Sequence, residues 1–213
     1  MLYPTTMGKM NVLTQEDTVS GWTKNGIQDL IEAFNNNNAY NRYGPFFLSL
    51  GLELICKGYL LGTRAAEYQN QPYYKGAKTV NLIAKEYGHN LRKIIAQIVK
   101  LRKNSRIETF LEQEYDDMDG KTVVSILQNA YTECRYPHAP QPSHLKYPHP
   151  RLQGKHIDVL QSSSLEQFCH DIVNEILEFN YSQFNLRFDR KWIYKKFGRK
   201  KAIVRFSNLL FDN

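Results

Sequence analysis

Apolar residues recur along this chain mostly at steps of three and four, with almost no strand-like alternation, and that period predicts helices around a shared core. Residues 1 to 19 carry no sustained period and read as an extended lead-in. From Ser20 to Phe34, the positions Trp22, Ile27, Leu30, Ile31 and Phe34 predict a short helix, stopped by the asparagine run 35–38. The strongest signal follows from Ala39. Tyr43, Phe46, Phe47, Leu50, Leu54, Cys56, Leu60 and Leu61 cover so wide a face that the helix carrying them must be largely buried. Pro45 costs little near the helix start, where an N–H has no intrahelical partner, and Gly62 marks the end.

Residues 64 to 79, with Gln, Asn, Tyr, a Pro and a Gly, read as a loop or broken turn. Asn90 is placed to cap a helix from Leu91 to Leu101, whose stripe is Leu91, Ile94, Ile95, Ile98 and Leu101. Helical spacing continues over Ile107–Tyr115 and from about Lys121 to Tyr131, the latter packing through Val123, Val124, Ile126, Leu127, Ala130 and Tyr131. Between Tyr136 and Pro150 fall five of the eight prolines and three of the six histidines (His138, His144, His149), a density that forbids continuous helix and predicts a long extended loop. Ser162 to Ser164 offer an N-cap, with Glu166 in capping position, for a last core helix carrying Leu165, Phe168, Cys169, Ile172, Ile176, Leu177 and Phe179. The expected fold class is therefore all-α, a helical bundle.

At 213 residues the chain can bury a sizeable core without staples, and 42% hydrophobic residues exclude global disorder. Cys56, Cys134 and Cys169 are an odd number at no metal-ligand spacing, which argues against a disulfide framework or a zinc site and fits a reducing compartment. Met1 to Asn11 lacks the basic-then-apolar order of a secretory leader, so a cytoplasmic protein is expected. Ser49, Glu53 and Lys57 interrupt Phe46–Leu61, which is also shorter than the roughly 20 residues a span needs, so a buried helix is expected rather than a membrane segment. The chain has no phosphate-binding glycine loop, dinucleotide fingerprint, His-Glu-x-x-His or paired-cysteine box, so neither a metal nor a cofactor is expected.

Charge changes the picture at one end. The chain carries net charge +7, but residues 187 to 205 hold nine cations against Asp189, which leaves 19 basic and 20 acidic residues for the rest. Arg187, Arg190, Lys191, Lys195, Lys196, Arg199, Lys200 and Lys201 are interleaved with Phe188, Trp192, Tyr194 and Phe197. Cations neutralise phosphates while aromatic faces stack on unpaired bases, so the segment suits RNA or single-stranded DNA. An acidic protein or a membrane surface would meet the same charge, and a basic solvated element packed back by its aromatics is the plainer reading.

Three short motifs in order carry a family resemblance. They are the run Tyr43-Gly-Pro-Phe-Phe-Leu-Ser-Leu-Gly-Leu-Glu53-Leu-Ile-Cys-Lys57-Gly-Tyr-Leu-Leu, then Gly88-His89-Asn90-Leu91, then Tyr131-Thr-Glu-Cys-Arg135-Tyr136-Pro137. Over residues 39 to 185 the chain resembles the HEPN superfamily, the higher eukaryotes and prokaryotes nucleotide-binding proteins. The resemblance implies an up-and-down helical bundle with the Pro/His-rich loop before its last core helix, and pairing as a homodimer. It divides the chain into a lead-in with a short helix (1–38), the HEPN-like domain (39–185) and a basic aromatic extension (186–213). It implies an RNA- or nucleotide-binding accessory or effector module, in a defence or toxin–antitoxin-type system. It also implies an alternative, since members with an Arg-x(4–6)-His motif are metal-independent endoribonucleases.

For that alternative, Arg151 and His156 satisfy the spacing, though in a loop that contains Gly154, and Arg135 stands three residues before His138 and nine before His144. A histidine would move the 2′-hydroxyl or leaving-group proton, and an arginine would stabilise the phosphorane. The plainer readings are a solvated loop for the first pair and helix-end packing for Arg135. Glu53 and Lys57, four apart, read as a partly buried ion pair or as a polar anchor in a pocket. His89 reads as a helix-start histidine that bonds backbone or packs near Arg135. A scaffold that binds a protein partner through the basic segment is the third reading.

Overall fold

The computed structural model describes residues 15–33, 43–64, 73–102, 106–114, 121–133, 163–184, 190–199 and 207–208. Through these run the helices α1 (Gln15–Ala33), α2 (Tyr43–Thr63), α3 (Tyr73–Tyr87), α4 (Leu91–Leu101), α5 (Ile107–Leu111), α6 (Val123–Glu133), α7 (Ser163–Phe184) and α8 (Arg190–Phe197). The fold is all-α; the only pairing of extended backbone among the described residues is an isolated bridge between Glu114 and Thr122.

Helix α2 is the hub, and α1, α3, α4, α6 and α7 all pack on it. Leu48, Leu52, Ile55, Cys56, Tyr59 and Leu60 are buried on one broad face, and Leu61 with the buried Ser49, Gly51, Glu53, Lys57 and Gly58 closes the other sides, as a helix enclosed by others requires. By length and composition Phe46–Thr63 is apolar enough to cross a bilayer, but 72% of that window is buried by the rest of the protein. It serves here as the central core helix.

Helix α1 lies so close to α2 that backbone meets backbone. A Cβ on Gly26 would stand 2.6 Å from the Gly51 carbonyl oxygen and from Ile55 Cγ1, and one on Gly51 would stand 2.7 Å from the Gly26 oxygen. Seven residues after Gly51, a Cβ on Gly58 would meet Thr23 Oγ1 at 2.8 Å. Only glycine tolerates such an approach. The seam explains why α1 starts at Gln15, within the expected lead-in. Val19, Thr23 and Gly26 all occupy its buried face, and a count of large apolar residues passes over the last two.

The second departure is α3, which begins inside the segment read as a loop. Its described inward residues are few, Val80, Ile83 and Tyr87, and Leu82 faces outward, so the stripe is too thin to stand out. Elsewhere the stripes hold. Asn90 Oδ1 accepts from the Lys93 N–H at 2.8 Å, and Leu91, Ile94, Ile95 and Ile98 are buried, while Leu101 in the last turn is half exposed. Arg102 follows and ties α4 to α7 by donating from Nη1 to the Glu175 carbonyl at 3.0 Å. Helix α5 stops at Leu111, four residues short of Tyr115. Helix α6 buries its expected residues, and α7 buries Phe168, Cys169, Ile172, Ile176 and Leu177 together with His170 and Val173, while the side chains of Leu165 and Phe179 lie outside the described residues. Cys56 and Cys169 are buried in the core as thiols.

Candidate functional site

The site grows from one face of α2. Helical spacing puts Glu53 and Lys57 one turn apart, and both are almost fully buried, with Lys57 Nζ 2.7 Å from Glu53 Oε1. Two charges withdrawn from water are costly unless their remaining hydrogen-bonding capacity is met. Lys57 also donates to the Gly88 carbonyl and lies 5.6 Å from the ring centroid of Trp22 on α1. The Glu53 carboxylate takes its second partner from His89, whose Nδ1 lies 3.1 and 3.2 Å from the two oxygens.

The turn between α3 and α4 brings those groups in. Gly88 sits at φ +54°, the left-handed conformation that closes helices, with its N–H on the Ala84 carbonyl at 3.0 Å. Asn90 donates its N–H to the Tyr87 carbonyl at 3.1 Å and at once caps α4. Within this short connection the Gly88 carbonyl faces Lys57 and the His89 ring faces Glu53. Arg64, just past α2, reaches across to Glu86 at 2.8 Å and fastens the end of α3 to the same helix. Burial alone would raise the Glu86 carboxyl, but hydrogen bonds from Arg64 and Tyr87 and the charges of Arg64 and Lys93 hold it below its ordinary value.

The fourth member comes from the last turns of α6. Tyr131 stacks on His89, with ring centroids 4.0 Å apart and planes at 20°, and its hydroxyl lies 2.9 Å from Nε2. Phe46, at the start of α2, packs against the Tyr131 ring at 5.5 Å. A carboxylate can only accept, so Nδ1 donates to Glu53, and in the neutral ring Nε2 accepts the Tyr131 hydroxyl. The result is a chain of polar contacts that starts at a buried ammonium and carboxylate and ends at an imidazole whose side chain is 52% exposed. It fixes the ring, and it can hold or pass a proton at Nε2. Beside it, burial and the Glu53 charge push the Cys56 thiol far above its ordinary value, so that sulfur stays protonated and acts as a core residue.

Of the residues singled out in the sequence, Glu53, Lys57 and His89 meet here. The ion-pair expectation for the first two is what the structure shows, with burial nearly complete. His89 bonds a carboxylate rather than backbone; the backbone contact belongs to Lys57. Helical spacing marks Tyr131 and Trp22 only as packing residues. The signal for Tyr131 is chemical, because a phenol at the end of an apolar stripe needs a partner when buried. Arg135, His138, His144, Arg151 and His156 lie outside the described residues, as do Arg187, Lys200 and Lys201. Among the described residues no group of three or more His, Cys, Asp or Glu is placed to hold a metal ion.

The basic segment contributes α8. Ile193 is fully buried in the common core and Tyr194 packs against it, receiving a hydrogen bond from Ser207 Oγ at 2.9 Å. Arg199 lies 4.7 Å from the Tyr194 ring centroid, just beyond Gly198, whose φ of +80° ends the helix. Lys191, Lys195 and Arg199 are exposed and Arg190 is half-buried. Trp192 and Lys196 belong to the helix, but their side chains lie outside the described residues. Comparison of the chain with protein families, curated proteins and solved structures gave no match.

Proposed function

We propose that the chain is a HEPN-like helical module that binds RNA or a nucleotide, and that it serves as an accessory or effector part of a defence or toxin–antitoxin-type system. The observation that carries this reading is α8. Its cations stand on a helix held to the core by Ile193, so Lys191 and Lys195, one turn apart, are displayed to solvent in fixed register. Anchored charge of this kind meets a phosphate backbone without the full ordering cost of a loose tail. Support for the HEPN-like part of the reading is that Glu53, Lys57, His89 and Tyr131, drawn from all three motifs of the resemblance, form one connected cluster.

Because Ile193 is part of the core, charge reversal tests this better than truncation. Lys191→Glu/Lys195→Glu is expected to keep the melting temperature within a few degrees and to weaken binding of a short single-stranded RNA by about ten-fold or more in low salt, with a shallower salt dependence. Unchanged affinity would remove α8 from the reading. Incubating the same protein with RNA in EDTA tests the ribonuclease alternative, and cleavage abolished by His156→Ala or His138→Ala would replace the binding module with an enzyme.

A further inference from the structure

His89 is held more firmly than a half-exposed surface histidine needs to be. Both ring nitrogens are engaged, Nδ1 by Glu53 and Nε2 by Tyr131, and one face of the ring lies on Tyr131 at 4.0 Å. One face is taken by Tyr131 and 52% of the side chain is still exposed, so we infer that the opposite face is the one a second ring can reach. The aromatic series Phe47, Phe46, Tyr131 and His89, with successive centroids 5.5, 5.5 and 4.0 Å apart, therefore ends on a flat surface turned to solvent. An imidazole fixed in this way loses little side-chain freedom when another ring settles on it.

The flanking charge tells which ring. Residues 85 to 93 carry Lys85, Arg92 and Lys93 against Glu86. Both α4 cations are exposed: Arg92 pairs with Glu112 and donates to the Leu111 carbonyl, and Lys93 donates to the Glu86 carbonyl at 2.6 Å while lying 5.4 Å from the Tyr87 ring centroid, so the exposed ion pair of Arg92 is the contact most easily exchanged. A flat ring joined to an anion fits this surface, which describes a nucleobase with its phosphate. The base has to be unpaired, because a base inside a duplex already has both faces covered.

We propose that the open face of His89 is a stacking platform for one unpaired nucleobase, positioned by Glu53 and Tyr131, with Arg92 and Lys93 three and four residues on in the first turn of α4 as the nearest cations in sequence. This rests on the RNA reading above and adds a base-recognising point separate from the phosphate contacts of α8.

The test compares a short oligoadenylate with an abasic ribose-phosphate oligomer of equal length and charge, measured against the full-length wild type, His89→Ala and His89→Phe, with thermal melts as the folding control. Wild type is expected to bind the oligoadenylate roughly ten-fold more tightly than the abasic oligomer. His89→Ala brings that ratio close to one while abasic binding stays the same, and His89→Phe, which keeps a flat face but loses the two nitrogen contacts that fix the ring, restores only part of it. A wild-type ratio of one overturns the proposal and leaves the face to a protein side chain. So does a ratio that survives His89→Ala, or one that His89→Phe fails to restore even in part. If wild type binds neither oligomer, the RNA reading fails and this inference fails with it, whereas loss confined to the α8 charge reversal concerns the phosphate contacts alone.

Discussion

Helix α2 meets its neighbours in two contrasting ways. Toward α1, apart from Lys57 over the Trp22 ring, the contact is one of shape, with Gly26 against Gly51 and Gly58 against Thr23, and among the described residues even the buried Thr23 hydroxyl has no hydrogen-bond partner. Toward the α3–α4 turn and α6 the contact is polar, running through Lys57, Glu53, His89 and Tyr131 with hydrogen bonds at each step. The glycine contacts of the first seam involve no charged group and fix how near two helices lie. The second is directional, so it decides where one ring points. A bundle that needed only stability would have little use for the second kind, because a buried ion pair adds less than well-packed apolar residues of similar volume.

The contrast can be broken from either side. The largest effect is expected on the polar seam. Lys57→Met leaves Glu53 buried with His89 as its only described partner, and chemical denaturation is expected to show a loss of about 3 kcal/mol. Replacing both partners, Glu53→Leu with Lys57→Met, is expected to recover most of that loss. If the double variant is no more stable than the single one, the cost does not lie in the stranded carboxylate.

A smaller effect is expected on the shape seam. Gly26→Ala puts a Cβ 2.6 Å from the Gly51 carbonyl, and because backbone lies on both sides the helices must part, at a cost of about 2 kcal/mol that is independent of ionic strength. A Gly26→Ala variant whose melting temperature matches wild type would show that α1 can slide on α2 freely.

The smallest effect concerns α1 alone. Burial, reinforced by the nearby Glu32, lifts the Asp29 carboxyl from 3.8 to about 6. The folded state therefore holds the Asp29 proton more tightly than the unfolded chain, so this group's contribution is fully present below about pH 4 and is lost as pH rises through about 6. Asp29→Asn is expected to raise the melting temperature at pH 7.5 by a degree or two relative to wild type, with the gain vanishing near pH 4. A gain of equal size at both pH values would point to a cause other than charge.

Much of this was legible beforehand, and the residues show why. The apolar stripes of α4, α6 and α7 are large side chains at steady spacing, and the Asn90 cap is a local hydrogen bond between residues three apart. Helix α3 was hidden because few of its described residues point inward, and the early part of α1 because several of its described inward residues, Ser20, Thr23 and Gly26, are small. The candidate site divides in the same manner. Glu53 and Lys57 are one turn apart and announced themselves, while Tyr131, 42 residues beyond His89, did not.

What the sequence determined by itself, then, is what local periodicity and capping can specify: an all-α chain, one helix with so wide an apolar face that it must be largely buried, two opposite charges one turn apart on it and a concentrated basic end. What only the tertiary structure decided is which partners the polar groups find. Helix spacing reports that Glu53 faces inward, but it does not say that the α3–α4 turn delivers His89 to that carboxylate or that α6 lays Tyr131 against the ring. Those contacts depend on how distant segments stack, and the stacking is set by the summed burial and close packing of the whole bundle rather than by any one segment of it.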